Sequence, residues 1–259
     1  LVQKLFASAP FGEAPDFAAR FREAVLKTQR EAKQETSWTA QNAPFEAALL
    51  DAADAMVAER HLIDPLEDVT RAGAVIGLGQ AALKTVGRRT PDIYQGTLGW
   101  DLSMVDPDNR RPVDFAAEAQ LVAHAREADP QSLIRNWTDG AIKARVLLEG
   151  LALRQQRPGL FRRGTVREVP VEGGLGRVRA FCLEDGADQL LVALCVRPLA
   201  HLGTGAALRF DDSFEIFLAQ PIVAGVTGRR LAAGSHDLGA ILSGFPVLLA
   251  KSGGVAQVC

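Results

Sequence analysis

Over the first 160 residues, apolar positions recur at the three-to-four-residue spacing of an α-helix. Phe17, Phe21, Val25 and Thr28 form one such row, opened by Asp16, whose charge suits the positive end of a helix. Phe45, Leu49, Ala53 and Met56 form a second, with Asn42 placed to cap it and Pro44 tolerated in its first turn. A third helix is predicted from near Pro65 to Val86, with Val69, Ala72, Val75, Leu78, Ala82 and Leu83 along one side. Gly73, Gly77 and Gly79 weaken it as a helix but allow close approach of a neighbour. Further on, Asp114 can cap a helix that turns Leu121, Val122 and Ala125 inward. The row after Trp137 (Ala144, Leu147, Leu148, Leu151) should end at Pro158 and Gly159.

From Phe161 the period falls to two. Val178, Ala180 and Cys182 alternate, as do Phe214, Ile216 and Leu218, and Gly and Pro punctuate the runs. This predicts an all-β domain of short strands, a sandwich, with a boundary near Phe161. Ahead of it, PDIYQG reads as a short strand, and TLGWDLSMVDPDNRRP as a long polar loop.

Composition narrows the function. The chain has 259 residues, is 47% hydrophobic and 23% charged, and carries a net charge of −2. That suits a soluble globular chain with an ordinary core. The pairs Arg88-Arg89, Arg110-Arg111 and Arg162-Arg163 are too short for a basic tract, so neither nucleic acid nor a membrane surface is an expected partner. No stretch approaches the roughly 20 apolar residues of a membrane span. The opening LVQKLFASAPFGEAPDF does not read as a signal peptide, and its lack of Met hints at a start within a longer chain. Three cysteines without CxxC spacing (Cys182, Cys195, Cys259) argue against a disulfide framework or zinc site. Cys182 and Cys195 read as reduced core residues, which points to a reducing, cytoplasmic compartment. His61, His124, His201 and His236 lack metal-like spacing, and Gly77 and Gly79 form no phosphate cradle, so no metal or cofactor is expected. Trp137, near a helix start, reads as a packing anchor.

The segment Pro91 to Phe115 is where chemistry concentrates. It holds carboxylates, amides, two arginines, a tyrosine and a tryptophan. Flat aromatic faces and fork-like polar groups suit sugars, because rings stack on CH faces while Asp, Asn, Gln and Arg bond paired hydroxyls. The same composition also suits a loop that satisfies its own polar groups.

PDIYQGT (Pro91 to Thr97) with VDPDNRRPVDF (Val105 to Phe115) resembles the eighth barrel strand and following loop of maltooligosyltrehalose synthases, of the α-amylase superfamily. REAKQETSW (Arg30 to Trp38) and DGAIKARVLLEGLALRQQRPGLF (Asp139 to Phe161) resemble two further segments, so the likeness covers roughly residues 15 to 165. Two departures stand out. Leu98-Gly99 replaces the family's usual Glu-Leu, and Arg89-Thr90 its usual Gly-Val.

The resemblance implies an α+β fragment in three parts: a helical insertion over 1–66, the last strand and helices of a (β/α)₈ barrel over 67–160, and a C-terminal β sandwich over 161–259. One strand cannot close a barrel, so the missing N-terminal barrel segment is an implied partner. Retaining glycosyl transfer needs two carboxylates about 5 Å apart. In this superfamily they sit on earlier strands, so the catalytic groups are expected upstream of Leu1, and none is assigned to Asp92, Asp101 or Asp106. The implied whole-enzyme reaction converts the reducing-end α-1,4 bond of a maltooligosaccharide into an α,α-1,1 linkage by intramolecular transglucosylation. Implied substrate contacts are Tyr94, Gln95, Trp100, Asp101, Asp106, Asn109 and Arg110, with Lys33 and Trp38 from the insertion. Arg111 is expected to brace its own loop. The rival readings are a non-catalytic carbohydrate-binding protein and another α-glucan hydrolase or transferase of the same superfamily.

Overall fold

The structure, a computed structural model, describes residues 1–11, 14–59, 67–104, 106–174 and 176–252. His61, Pro65, Val105 and Cys259 lie outside the described residues. The chain divides into two compact units. The first joins Leu1–Glu67 with Asp101–Val113, and the second joins Asp68–Trp100 with Asp114 onward.

The first unit is helical: α1 (Val2–Ser8), α2 (Phe17–Ala32) and α3 (Ala43–Ala58). Phe17, Phe21 and Val25 are buried as their spacing predicts, and the two rings stack at 5.8 Å. Ala24 completes the row in place of Thr28, which is exposed and turns its hydroxyl back to the Ala24 carbonyl at 2.7 Å. Asn42 caps α3 by accepting the Phe45 amide, with Pro44 in the first turn. The core gathers Leu5, Phe21, Val25, Ala53 and Met104, so a residue of the polar loop is built into this unit.

The second unit begins with α4 (Glu67–Val86). Ala72, Val75, Leu78 and Ala82 face inward, but Val69 and Leu83, predicted on the same side, are about two-fifths exposed, as is Ile76. These three are spaced by seven and form a separate stripe, because seven residues advance a helix by almost two full turns. A Cβ on Gly77 would come within 3.3 Å of the Trp100 ring, and one on Gly79 within 3.6 Å of Leu194, whereas Gly73 meets nothing within 4 Å.

Residues 91–94 do not form the predicted strand. They run without a sheet partner, as a lone parallel strand must when no neighbour takes up its N–H and C=O groups. The following helices are α5 (Phe115–Glu127), α6 (Pro130–Arg135), α7 (Ala141–Gln156) and α8 (Pro158–Arg163). Asp114 caps α5 through the Ala116 and Ala117 amides, and Ala125 is fully buried. Pro158 and Gly159 do not simply terminate α7. Its helix stops at Gln156, and Pro158 then opens α8 at a first-turn position where its missing N–H costs nothing.

The strands are β1 (Thr165–Val169), β2 (Val178–Asp185), β3 (Asp188–Cys195), β4 (Glu215–Leu218), β5 (Ile222–Ala224), β6 (Arg230–Leu231), β7 (Gly234–Asp237) and β8 (Val247–Ser252), with α9 (Leu238–Gly244) before the last. All pairings are antiparallel. The larger sheet runs β1-β2-β3-β8-β5-β6, and β4 pairs with β7 apart from it. Ala180, Leu191, Ala193, Ile216, Leu242 and Leu248 share one core, which Val75 of α4 joins. Cys182 and Cys195 are buried within the sheet, and burial pushes their thiols up to about 12 and about 11, so both stay protonated and inert. Among the described residues, no helix is long and apolar enough to cross a membrane.

Candidate functional site

The candidate residues fall on both units. Tyr94, Gln95 and Trp100 belong to the second, and Lys33, Trp38, Asp101, Asp106, Asn109 and Arg110 to the first.

In the second unit a turn follows the extended run. Thr97 donates its amide and its hydroxyl to the Tyr94 carbonyl, at 3.3 and 2.6 Å, and Gly96 takes φ +77°. This turn leaves Tyr94 about 61% exposed and Gln95 exposed. Lys143 of α7 holds the next stretch in place by donating to the carbonyls of Thr97 and Gly99, at 2.9 and 2.6 Å. Trp100 is half-buried. Its indole N–H donates to the Trp137 carbonyl at 2.6 Å, its ring meets Trp137 edge-on, and the Lys143 ammonium lies 5.8 Å from its centre. Trp100 is therefore a fixed aromatic wall with its polar tip already used, and Trp137 is the packing anchor expected of it.

Gly99 is buried, and a Cβ there would sit 3.0 Å from Leu121 and 3.9 Å from the Gly140 Cα. Gly140 adopts φ +81°, and a Cβ on it would approach the Gly99 Cα to 2.9 Å. The two backbones pass too closely for a side chain at either position.

In the first unit the polar loop winds around a carboxylate that sequence reasoning passed over. Asp108 is buried. It accepts from the Arg20 guanidinium at 2.9 and 3.2 Å, from the Met104 amide at 2.7 Å and from Arg111 Nε at 2.9 Å. Arg111 thus braces its own loop as expected, and it reaches Asp16 at 3.4 Å as well. With Asp108 turned inward, its neighbours face out. Asp106 pairs with Arg110 at 2.5 Å and with Lys27 at 3.4 Å, and Lys27 also donates to the Asp106 carbonyl. Asn109 and Arg110 are exposed. Asp101 is exposed too, but accepts the amide and hydroxyl of Ser103 at 2.9 and 2.5 Å, a local turn that occupies one of its oxygens.

Trp38 presents an open face. About half of it is exposed, while the Arg30 guanidinium lies 5.1 Å from its ring centre. Arg30 is itself clamped to Glu46 by two bonds of 2.8 and 2.7 Å, and Thr36 donates to the same carboxylate at 2.6 Å. These partners hold the Glu46 carboxyl at about 2, Arg30 contributing most and Thr36 next. Lys33 ends α2 in the left-handed region, φ +54°, with its side chain exposed. Glu46 carried no signal in the sequence beyond its place in the first turn of a capped helix. Among the described residues, no group of three or more His, Cys, Asp or Glu could hold a metal ion.

No protein-family model matches the chain. It is 32% identical over 179 residues to a Mycobacterium tuberculosis protein named as a maltooligosyl trehalose synthase, a match covering 65% of this chain and 20% of that one. The same figures hold for the protein from a second strain. The solved maltooligosyltrehalose synthase of Arthrobacter ramosus superposes with TM-score 0.78 and 29% identity, covering 97% of this chain and 32% of that one. The Sulfolobus tokodaii structure, at 22% identity and TM-score 0.71, shares the fold. The chain therefore spans about a fifth of the length of its curated relatives and about a third of the solved ones. Sequence and fold converge on one likeness: the chain is similar to part of the maltooligosyltrehalose synthases.

Proposed function

We propose that this chain is the C-terminal part of an enzyme that converts the reducing-end α-1,4 bond of a maltooligosaccharide into an α,α-1,1 linkage. In this reading residues 1–66 are a helical insertion, 67–160 the end of a (β/α)₈ barrel, and 161–259 an accessory β sandwich. The carboxylates that break and remake the glycosidic bond lie on barrel strands outside this chain. The observation that carries the reading is the near-complete superposition on the Arthrobacter enzyme at 29% identity. The exposed stripe Val69, Ile76 and Leu83 supports it, because an apolar row on a helix needs a neighbour, and the preceding barrel segment supplies one. The unpaired run at 91–94 asks for the same partner.

The loop residues act by holding glucose rather than by breaking bonds. The released glucose must stay bound, turn over and attack through its own anomeric hydroxyl before water does. Trp38 offers a sugar-sized flat face stiffened from beneath by Arg30, and the Tyr94 ring offers a second. Asn109, Arg110 and Gln95 present amide and guanidinium forks to solvent, suited to paired hydroxyls. Trp100 contributes as a fixed wall.

The test is to incubate the full-length gene product, and residues 1–259 alone, with maltopentaose and follow loss of reducing ends. Loss with the former and none with the latter is expected. Trp38→Ala in the active protein should lower kcat/KM about 10- to 100-fold, the effect of losing about 1.4–2.7 kcal/mol of stacking. Hydrolysis without trehalose-type product from the full-length protein would overturn the proposal, as would full activity of residues 1–259.

A further inference from the structure

Folding brings the Arg88-Arg89 pair, too short to matter along the chain, together with Arg162 of a second pair, whose Arg163 is instead bound to Asp185. Arg88, Arg89 and Thr90, just after α4, meet Arg154, Phe161 and Arg162 from α7 and α8 around an open cavity of about 510 Å³. Arg154 is a fixed part of the wall. It donates to the carbonyls of Thr85 and Gly87 at 3.0 and 2.5 Å and lies 4.6 Å from the Phe161 ring centre. It thereby covers the carbonyl end of α4, which would otherwise repel an anion. Arg88, Arg89 and Arg162 are exposed, and among the described residues none of them pairs with a carboxylate. Among the described residues, no acidic side chain lines the cavity.

Several guanidinium groups facing one space without a counter-charge repel each other, and a bound anion relieves that repulsion. The planar guanidinium fork matches phosphate oxygens, and the Thr90 hydroxyl adds a donor. We propose that the cavity binds a phosphate dianion, either free or as a phosphomonoester on a sugar. It is distinct from the loop residues offered above as sugar contacts and does not depend on them.

The experiment titrates inorganic phosphate and glucose 6-phosphate into the full-length chain by calorimetry at low ionic strength, with glucose as the neutral control. Binding near or below about 1 mM is expected, weakening steeply as salt rises from about 20 to 200 mM. R89Q/R162Q should lose at least about tenfold in affinity with an unchanged melting temperature, and R89K/R162K should lose less, since lysine keeps the charge but not the fork. Equal affinities for the two probes assign the site to the free anion, and a preference for glucose 6-phosphate assigns it to the monoester. Absence of binding at about 10 mM phosphate overturns the proposal, as does binding untouched by R89Q/R162Q. So does a glutamine variant that melts lower while the parent binds neither probe, because the arginines would then be braces within the protein.

Discussion

Replacing Asp108 with alanine removes the acceptor around which the polar loop of the first unit is wound. Three partners lose their bond at once: Arg20, Arg111 and the Met104 amide. The bond to Arg20 is sheltered from solvent on both sides, whereas Arg111 is about half exposed and contributes less. Counting one sheltered charge-assisted contact and one backbone amide, the loss is about 3 kcal/mol. The Met104 amide reports it directly, since its hydrogen-bond acceptor is the Asp108 carboxylate. Its hydrogen exchange, followed by NMR, should accelerate about 100-fold in Asp108→Ala, by the rule that 1.36 kcal/mol is a factor of ten. Asp108→Asn keeps one acceptor oxygen but turns an amide towards a donor, so about a tenfold acceleration is expected. Exchange within about threefold of the parent in Asp108→Ala would refute the assignment of Asp108 as the hub of this loop.

Glu46 gives a pH signature. Its folded carboxyl lies at about 2, below the ordinary value, so its contribution is complete above the ordinary carboxylate range and fades as pH falls from about 4.5 towards about 2. Urea midpoints measured from pH 6 to pH 2 should fall less steeply in Glu46→Gln than in the parent; parallel curves would contradict the linkage. Glycines in two helices should respond with opposite sign. Gly73→Ala meets open space and should stabilise residues 1–259 by about 0.8–1 kcal/mol, whereas Gly150→Ala would place its Cβ 2.0 Å from the Thr85 hydroxyl and should cost about 1–3 kcal/mol, both read by urea unfolding. Gly140→Ala combines a left-handed backbone with a 2.9 Å approach to Gly99, and a loss of about 2–3 kcal/mol is expected, seen as a melting temperature lower by roughly 5–10 °C.

Much of the helical part is legible in the sequence because its signals are local. Asn42 and Asp114 cap the helices they precede, and Phe17, Phe21 and Val25 bury the face that their spacing defines. The alternation of Val178, Ala180 and Cys182 likewise marks β2. What escaped was decided over longer distances. Nothing local distinguishes Asp108 from Asp106, two residues apart in one turn-rich run. Arg20, far upstream, draws one inward and leaves the other to pair with Arg110. The run at 91–94 carries strand-like residues, but a strand is completed by its neighbours. The spacing puts Val69 and Leu83 on the inward face because a repeat of three or four cannot separate a buried stripe from a second one beside it. Of the candidate sugar contacts, the sequence named the exposed aromatic and fork-bearing groups, but not Lys143 and Arg30, which hold two of them in place.

Met104 packs with Phe17, Phe21 and Val25 in the core of the first unit, although it is encoded after the whole of α4. A ribosome therefore releases α1, α2 and α3 well before the side chain that closes their core has been made. During that interval the nascent helices expose an apolar surface, and Asp108 has yet to neutralise Arg20. The first unit is thus a segment whose maturation during translation waits on the second, and a pause in elongation between Glu67 and Met104 would lengthen its exposure to chaperones and proteases.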